Sequence, residues 1–219
     1  MRSWLLAALV APGCGAPLVD FAAPAIARPY DPAECAREKP FGHGRDRAYE
    51  RVRDRWSRHA HVTHDYDSAL DARVILAVPQ FHAAYVHAIA LLDCLAPAEY
   101  AALLDADRAD QERSVDVIVL LDSSRWEWND LSSARSIWNV TLGDDQGRVI
   151  APIERQPLDM KPETLNALFG DATPFTRGWR IRFPRTFPDG TPLIRPEARR
   201  LTLRLAGPLG ADSVDWRSR

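Results

Sequence analysis

The sequence predicts an α+β fold, a mainly antiparallel β-sandwich-like sheet with a two-helix hairpin inserted between strands. Three observations predict it. In residues 136–153, S-I-W-N-V-T-L-G-D-D-Q-G-R-V-I-A-P-I, Trp138, Val140 and Leu142 alternate with polar or small residues. After Asp144-Asp145-Gln146-Gly147 the alternation resumes at Val149, Ala151 and Ile153, which reads as a β-hairpin with one face buried. The period returns in W-R-I-R-F at 179–183 and L-T-L-R-L at 201–205. Finally, two proline-led segments with helical spacing lie between two earlier alternating runs.

A chain of 219 residues with 46% hydrophobic content can bury one substantial core, here assigned to residues 44–219 as a single domain. The net charge of -2, with acids and bases interspersed, excludes the basic stripe of a nucleic-acid binder. No apolar run in the body reaches the roughly 18 to 20 residues that cross a bilayer.

Residues 1–14, M-R-S-W-L-L-A-A-L-V-A-P-G-C, place Arg2 before an uncharged apolar run and then small residues, as in a secretory signal. The ending Gly13-Cys14 resembles a bacterial lipoprotein signal, whose cysteine is lipidated and becomes the new N-terminus. That resemblance implies Cys14 as the lipidation site. Gly15 after it, in place of Asp, implies the outer membrane. Ala11 departs from the pattern, because this class carries Leu or Val there. Cleavage after A-I-A at 25–27 also satisfies the small-x-small rule, and a cytosolic protein with an apolar start is a third reading. Residues 15–43, rich in Ala and Pro, read as a tether. With Cys14 lipidated, Cys35 and Cys94 remain to close a disulfide in an oxidising compartment. Two thiols, with Cys94 a small buried hydrophobe, are the alternative.

Tyr49, Val52 and Trp56 recur at helical spacing in a heavily charged run, giving an amphipathic helix with a solvated charged face. Leu70, Ala72, Val74, Leu76 and Val78 alternate as a strand. Pro79 opens a helix with Phe81, Ala84, Tyr85, Ala88 and Leu92 on one face, and Pro97 opens another through Tyr100, Leu103 and Leu104 to a charged end at 105–113. Val115, Val117, Val119 and Leu121 restore the strand period. Residues 156–174 read as loop around a helical piece at 162–169 that Gly170 ends. Strands follow at 178–184 and 200–206, separated by the turn Pro188-Asp189-Gly190, and a short last strand holds Val214 and Trp216.

The runs W-N-V-T-L-G-D-D-Q-G-R-V-I-A-P, R-I-R-F-P and L-T-L-R-L-A-G-P-L-G, with the closing Trp216, resemble uncharacterised bacterial lipoproteins of unknown function. The resemblance rests on core and turn residues and implies no catalytic residue and no cofactor.

Two stretches carry candidate chemistry. His59-Ala60-His61-Val62-Thr63-His64-Asp65 resembles the H-x-H-x-D-H zinc-binding run of metallo-β-lactamase-like hydrolases, but Thr63 stands in the Asp position and no His follows His87. His59 and His61 would share one face of a strand, and the competing reading is a polar edge strand. Trp126 and Trp128, in R-W-E-W-N-D, would share one face if extended and offer a glycan or peptide platform. Otherwise they plug the sheet edge. Asp116, Asp122 and Glu127 show no acid/base spacing and read as solvent-facing. His82 and His87, five apart, fall on different faces of a helix.

These readings lead to an exported lipoprotein of the cell envelope with a non-catalytic structural or interaction role. Its expected partners are the membrane, through an N-terminal lipid anchor, and an envelope protein or glycan. The alternatives are a glycan- or peptide-binding module at Trp126 and Trp128, and a zinc-dependent hydrolase at His59, His61 and His64.

Overall fold

The computed structural model describes residues 17–25, 29–37, 46–132 and 135–218. The leader with Cys14, and the cleavage site at 26–27, lie outside the described residues.

The body starts at α2 (Arg47–Trp56), which follows a short α1 (Pro32–Arg37). The Asp46 carboxylate caps α2 by accepting from the N–H groups of Ala48 and Tyr49 at 2.9 and 3.2 Å. Tyr49 and Trp56 point inward. The charged face is not wholly solvated as expected: Arg53 is buried against Asp54, at 2.9 Å, beside Gly170.

Strands β1 (Ser57–His64) and β2 (Asp67–Ala77) form a hairpin. Helices α3 (Pro79–Leu92) and α4 (Pro97–Arg113) then intervene before β3 (Ser114–Asp122), which pairs antiparallel with β2. The helical hairpin is thus an excursion between neighbouring strands, and each helix has proline in its first turn. Residues 114–121 are all buried, as expected of a strand covered on both faces, by helices on one side and a second sheet on the other.

The second sheet begins with β4 (Asn139–Asp144) and β5 (Val149–Ile150). The chain then returns to the first sheet with β6 (Glu154–Pro157), passes through α5 (Pro162–Phe169) to β7 (Arg177–Pro184), and ends in β8 (Arg200–Gly207) and β9 (Gly210–Arg217). The five-stranded sheet has the order β1-β2-β3-β7-β6 and the four-stranded sheet β5-β4-β8-β9, with every pairing antiparallel. The fold is α+β and rich in antiparallel sheet. One core joins the two sheets, and Trp56, Trp138 and Trp216 are among its largest fully buried side chains. The indole N–H of each of these three finds an acceptor: the Gln80 side chain, the Trp128 carbonyl and the Trp56 carbonyl respectively.

The edges of β1 and β9 meet. The Arg58 guanidinium donates to the Asp215 carbonyl at 2.7 Å, and the His61 N–H to the Asp212 carboxylate at 2.8 Å. A Cβ on Gly210 would come within 2.6 Å of the Val62 side chain, and its φ of +142° also favours glycine.

Three expectations change. The second arm of the 136–153 hairpin is only two residues long, and Val149 and Ile153 are 62% and 63% exposed. Pro152 offers no N–H to continue that ladder, and the chain crosses to the other sheet, where the Ile153 N–H donates to the Arg182 carbonyl at 2.8 Å. Gln156 and Pro157, expected as loop, belong with Glu154 and Arg155 to the edge strand β6. The described parts of the 15–43 tether are docked on the body instead of standing off it. Val19 is buried, bridges Ser218 and donates its N–H to the Arg217 carbonyl. Phe21 packs on Trp56, the Tyr30 hydroxyl donates to the Leu95 carbonyl, and Cys35 is disulfide-bonded to Cys94 with a Cα–Cα distance of 5.5 Å. The apolar surface of Val19, Phe21 and Tyr30 gives this segment a reason to leave solvent. Among the described residues no helix is long and apolar enough to cross a membrane.

Candidate functional site: an aromatic loop end

Strands β1 and β3 run toward one end of the five-stranded sheet, and β2 and β7 run away from it. Three loops therefore meet there: the β1–β2 turn, the segment after β3 and the segment before β7. Each holds a large aromatic side chain in solvent. Tyr66 is 103% exposed, Trp126 74% and Phe175 81%.

The loops are laced together. The Ser124 N–H donates to the Ser68 carbonyl at 2.9 Å, and Arg125 lies 3.7 Å from the Asp67 carboxylate. The Arg125 guanidinium sits 4.7 Å from the ring centre of Trp128. Buried Asn129 donates its side-chain N–H to the Phe175 carbonyl at 3.0 Å. The hydroxyls of Thr173 and Thr176 donate to the Asp122 carboxylate at 3.2 and 2.7 Å. Asp122 is thus a loop anchor and not the solvated strand residue the sequence suggested.

The β1–β2 turn is the most unusual part. Asp65 and Tyr66 have φ of 48° and 69°, the left-handed pair that tight hairpins use. Asn or Asp followed by Gly suits such a turn, and a bulky residue at the second position costs about 1 kcal/mol or more. Tyr66 gains no packing in return.

Trp126 and Trp128 do not share a face. They sit in a single 3-10 turn (Trp126–Trp128), in which the Trp128 N–H donates to the Arg125 carbonyl and the Asn129 N–H to the Trp126 carbonyl. Trp126 points to solvent, whereas Trp128 is half-buried against the core. The expected two-ring platform is replaced by three rings from three loops. Sequence reasoning missed Tyr66 and Phe175; the available signal was an aromatic inside a turn, in D-Y-D and in T-P-F-T.

The histidines lie along β1. His59 and His61 project outward beside Asp71 of β2, with His59 Nε2 2.6 Å and His61 Nδ1 3.9 Å from its carboxylate. Strand alternation turns His64 to the other face, where it lies 3.4 Å from Asp65, so His59, His61 and His64 do not converge. Among the described residues no group of three or more His, Cys, Asp or Glu side chains could hold a metal ion.

Other charged groups are engaged by the fold. Asp116, expected in solvent, is buried beneath the helical hairpin. It accepts from the Ser114 hydroxyl at 2.8 Å, with the Nε atoms of Arg180 and Arg182 both 3.7 Å away. His82 Nδ1 lies 2.7 Å from the Asp107 carboxylate, joining α3 to α4. Burial alone would raise the Asp144 carboxyl, but hydrogen bonds from Arg148 and the N–H groups of Arg148 and Gln146 hold it below the ordinary range. Burial pushes the Tyr85 hydroxyl up to about 12. A groove of about 240 Å³ between α2 and α3 is lined by Tyr49, Val52, Arg55, Gln80, Ala84 and His87, among others. The Tyr49 hydroxyl there already donates to the Leu168 carbonyl at 2.7 Å.

No family model matches the chain, and no curated protein does. Among solved structures the chain is similar to a protein of unknown function from Burkholderia pseudomallei, at 12% identity and a TM-score of 0.42, over 76% of this chain and 82% of that one.

Proposed function

We propose that this protein is exported to a bacterial cell envelope, is anchored by lipid on Cys14 in the outer membrane, and works by binding, without catalysis. The observation that carries the binding role is the set of solvent-exposed rings of Tyr66, Trp126 and Phe175 on loops tied together at one end of the sheet. Exposed apolar groups gathered at one place mark interaction surfaces. Asp144–Arg148 and His82–Asp107 are internal pairs that hold the fold together.

Export is supported by the leader of residues 1–14 and by the Cys35–Cys94 disulfide, a bond that persists in oxidising compartments. The anchor and the binding end are also arranged sensibly. Pro17 and Val19 pack at the start of β1 and the end of β9, where Arg58 donates to the Pro17 carbonyl. Tyr66 follows the other end of β1, eight residues and about 26 Å away. Cys14 precedes Pro17 by three residues, a reach of at most about 11 Å. On this reading a lipid on Cys14 would enter the membrane on the side of Pro17, away from the aromatic end.

Metabolic lipid labelling with fractionation tests the anchor. Label should enter the wild-type membrane fraction and be lost in Cys14→Ser; equal labelling of both removes the anchor. A Trp126→Ala/Phe175→Ala variant that keeps every cellular and binding property of the wild type removes the binding role.

A further inference from the structure

We propose that the aromatic end binds a neutral, β-linked polysaccharide, with Tyr66, Trp126 and Phe175 against successive sugar rings and Asp65, Asp67 and Glu127 accepting from sugar hydroxyls. The proposal rests on the binding reading above and gives it a ligand class.

Charge selects the class first. In and beside the three loops, Asp65, Asp67, Glu127, Asp130 and Asp171 outnumber Arg125, Arg135 and Arg177, although Asp171 is paired with Arg73. Arg125 is already shared between Asp67 and the Trp128 ring. A surface with this modest acidic excess favours a neutral ligand over phosphate or sulfate, and so over an anionic bilayer, a nucleic acid or a phosphorylated glycan.

Shape selects next. The rings stand on separate projecting loops, with Tyr66 wholly outside the protein surface. Such a surface lies against a ligand and does not enclose one. The tips lie over β1–β2, β3 and β7, neighbours in the sheet, so they spread across two to three strand spacings, roughly 10 to 15 Å. That suits about two to three units of an extended sugar chain. Strand addition to a sheet edge, one of the ways a peptide is held, is not offered here, because this end presents strand termini.

Chemistry selects last. A β-linked pyranose with equatorial substituents has flat C–H faces and a rim of hydroxyls. Aromatic rings supply apolar area for those faces, and carboxylates are strong acceptors for that rim. Asp65 is 90% exposed beside Tyr66, and Glu127 is exposed next to Trp126. Each carboxylate therefore neighbours a ring that would place the sugar.

The test titrates the full chain with cellohexaose and chitohexaose, by calorimetry and tryptophan fluorescence. Saturable binding of at least one is expected, with a change in Trp126 emission. Trp126→Ala should weaken it roughly tenfold or more, and Phe175→Ala and Tyr66→Gly about three- to tenfold each. Tyr66→Gly suits the left-handed turn, so its loss of binding cannot be assigned to misfolding. Vesicles of phosphatidylethanolamine with phosphatidylglycerol, and a lysine-rich peptide, are run in parallel. Binding to either of these that needs the rings, with none to the sugars, overturns the ligand class while the interaction surface stands. Sugar binding that survives all three substitutions overturns the assigned site. Absence of ring-dependent binding to any probe overturns the ligand class and counts against the binding role.

Discussion

The indole N–H of Trp216 donates to the backbone carbonyl of Trp56 at 2.7 Å, and both rings are fully buried. This bond ties the last strand of the second sheet to the point where α2 hands over to β1. Trp216→Phe removes the donor, keeps most of the apolar area, and leaves a buried carbonyl short of a partner. A loss of about 1 to 3 kcal/mol is expected, seen as a lower urea midpoint with an unchanged slope. Trp216→Ala adds a cavity and should lose about 3 to 5 kcal/mol.

The Cys35–Cys94 bond closes a loop with a sequence separation of 59, holding α2, β1, β2 and α3 inside it. Chain entropy for that length predicts a contribution of about 4 kcal/mol. Reductant, or Cys35→Ser/Cys94→Ser, should lower the melting temperature, and reductant should then have no further effect on the double variant. Alkylation of both Cys35 and Cys94 in the unreduced protein would contradict the pairing.

Tyr66→Gly should not destabilise the protein. Relief of the left-handed strain offsets the larger entropy of glycine in the unfolded chain, so the urea midpoint should stay level or rise. A fall of more than about 1 kcal/mol would mean that the ring packs on the body, against its full exposure.

Asp144 provides a pH signature. Its folded pKa is depressed below the ordinary value of 3.8, so its stabilising effect is fully present above the unfolded pKa and is lost as pH falls through the folded one. Asp110, held low chiefly by its hydrogen bond from Arg113, acts in the same direction. Denaturation midpoints measured downward from about pH 5 should fall more steeply for the wild type than for Asp144→Asn. Parallel slopes would show that the turn carboxylate is not linked to acid unfolding.

Much of the architecture was legible because its signals are local. Pro79 and Pro97 announce two helices, Val115, Val117 and Val119 a strand, and Asp144 to Gly147 a turn. The excursion between β2 and β3 followed from their order alone. What escaped depends on distant partners. Glu154-Arg155-Gln156-Pro157 has no apolar alternation, and it becomes a strand because β7 offers an edge. Asp116 goes inside because Arg180 and Arg182 wait across the ladder on β7. Tyr66 acquires meaning only once the sheet brings its turn beside Trp126 and Phe175, which lie far along the chain.

The two sheets close against each other along β1 and β9, which leaves β5 and β6 as the strands on the opposite flank. These are two and four residues long, with Pro152 between them and Pro157 at the end of the second. A short, proline-interrupted border is a poor template for a neighbouring molecule to extend by backbone pairing. Another copy of the chain therefore finds little free backbone on this flank to pair with.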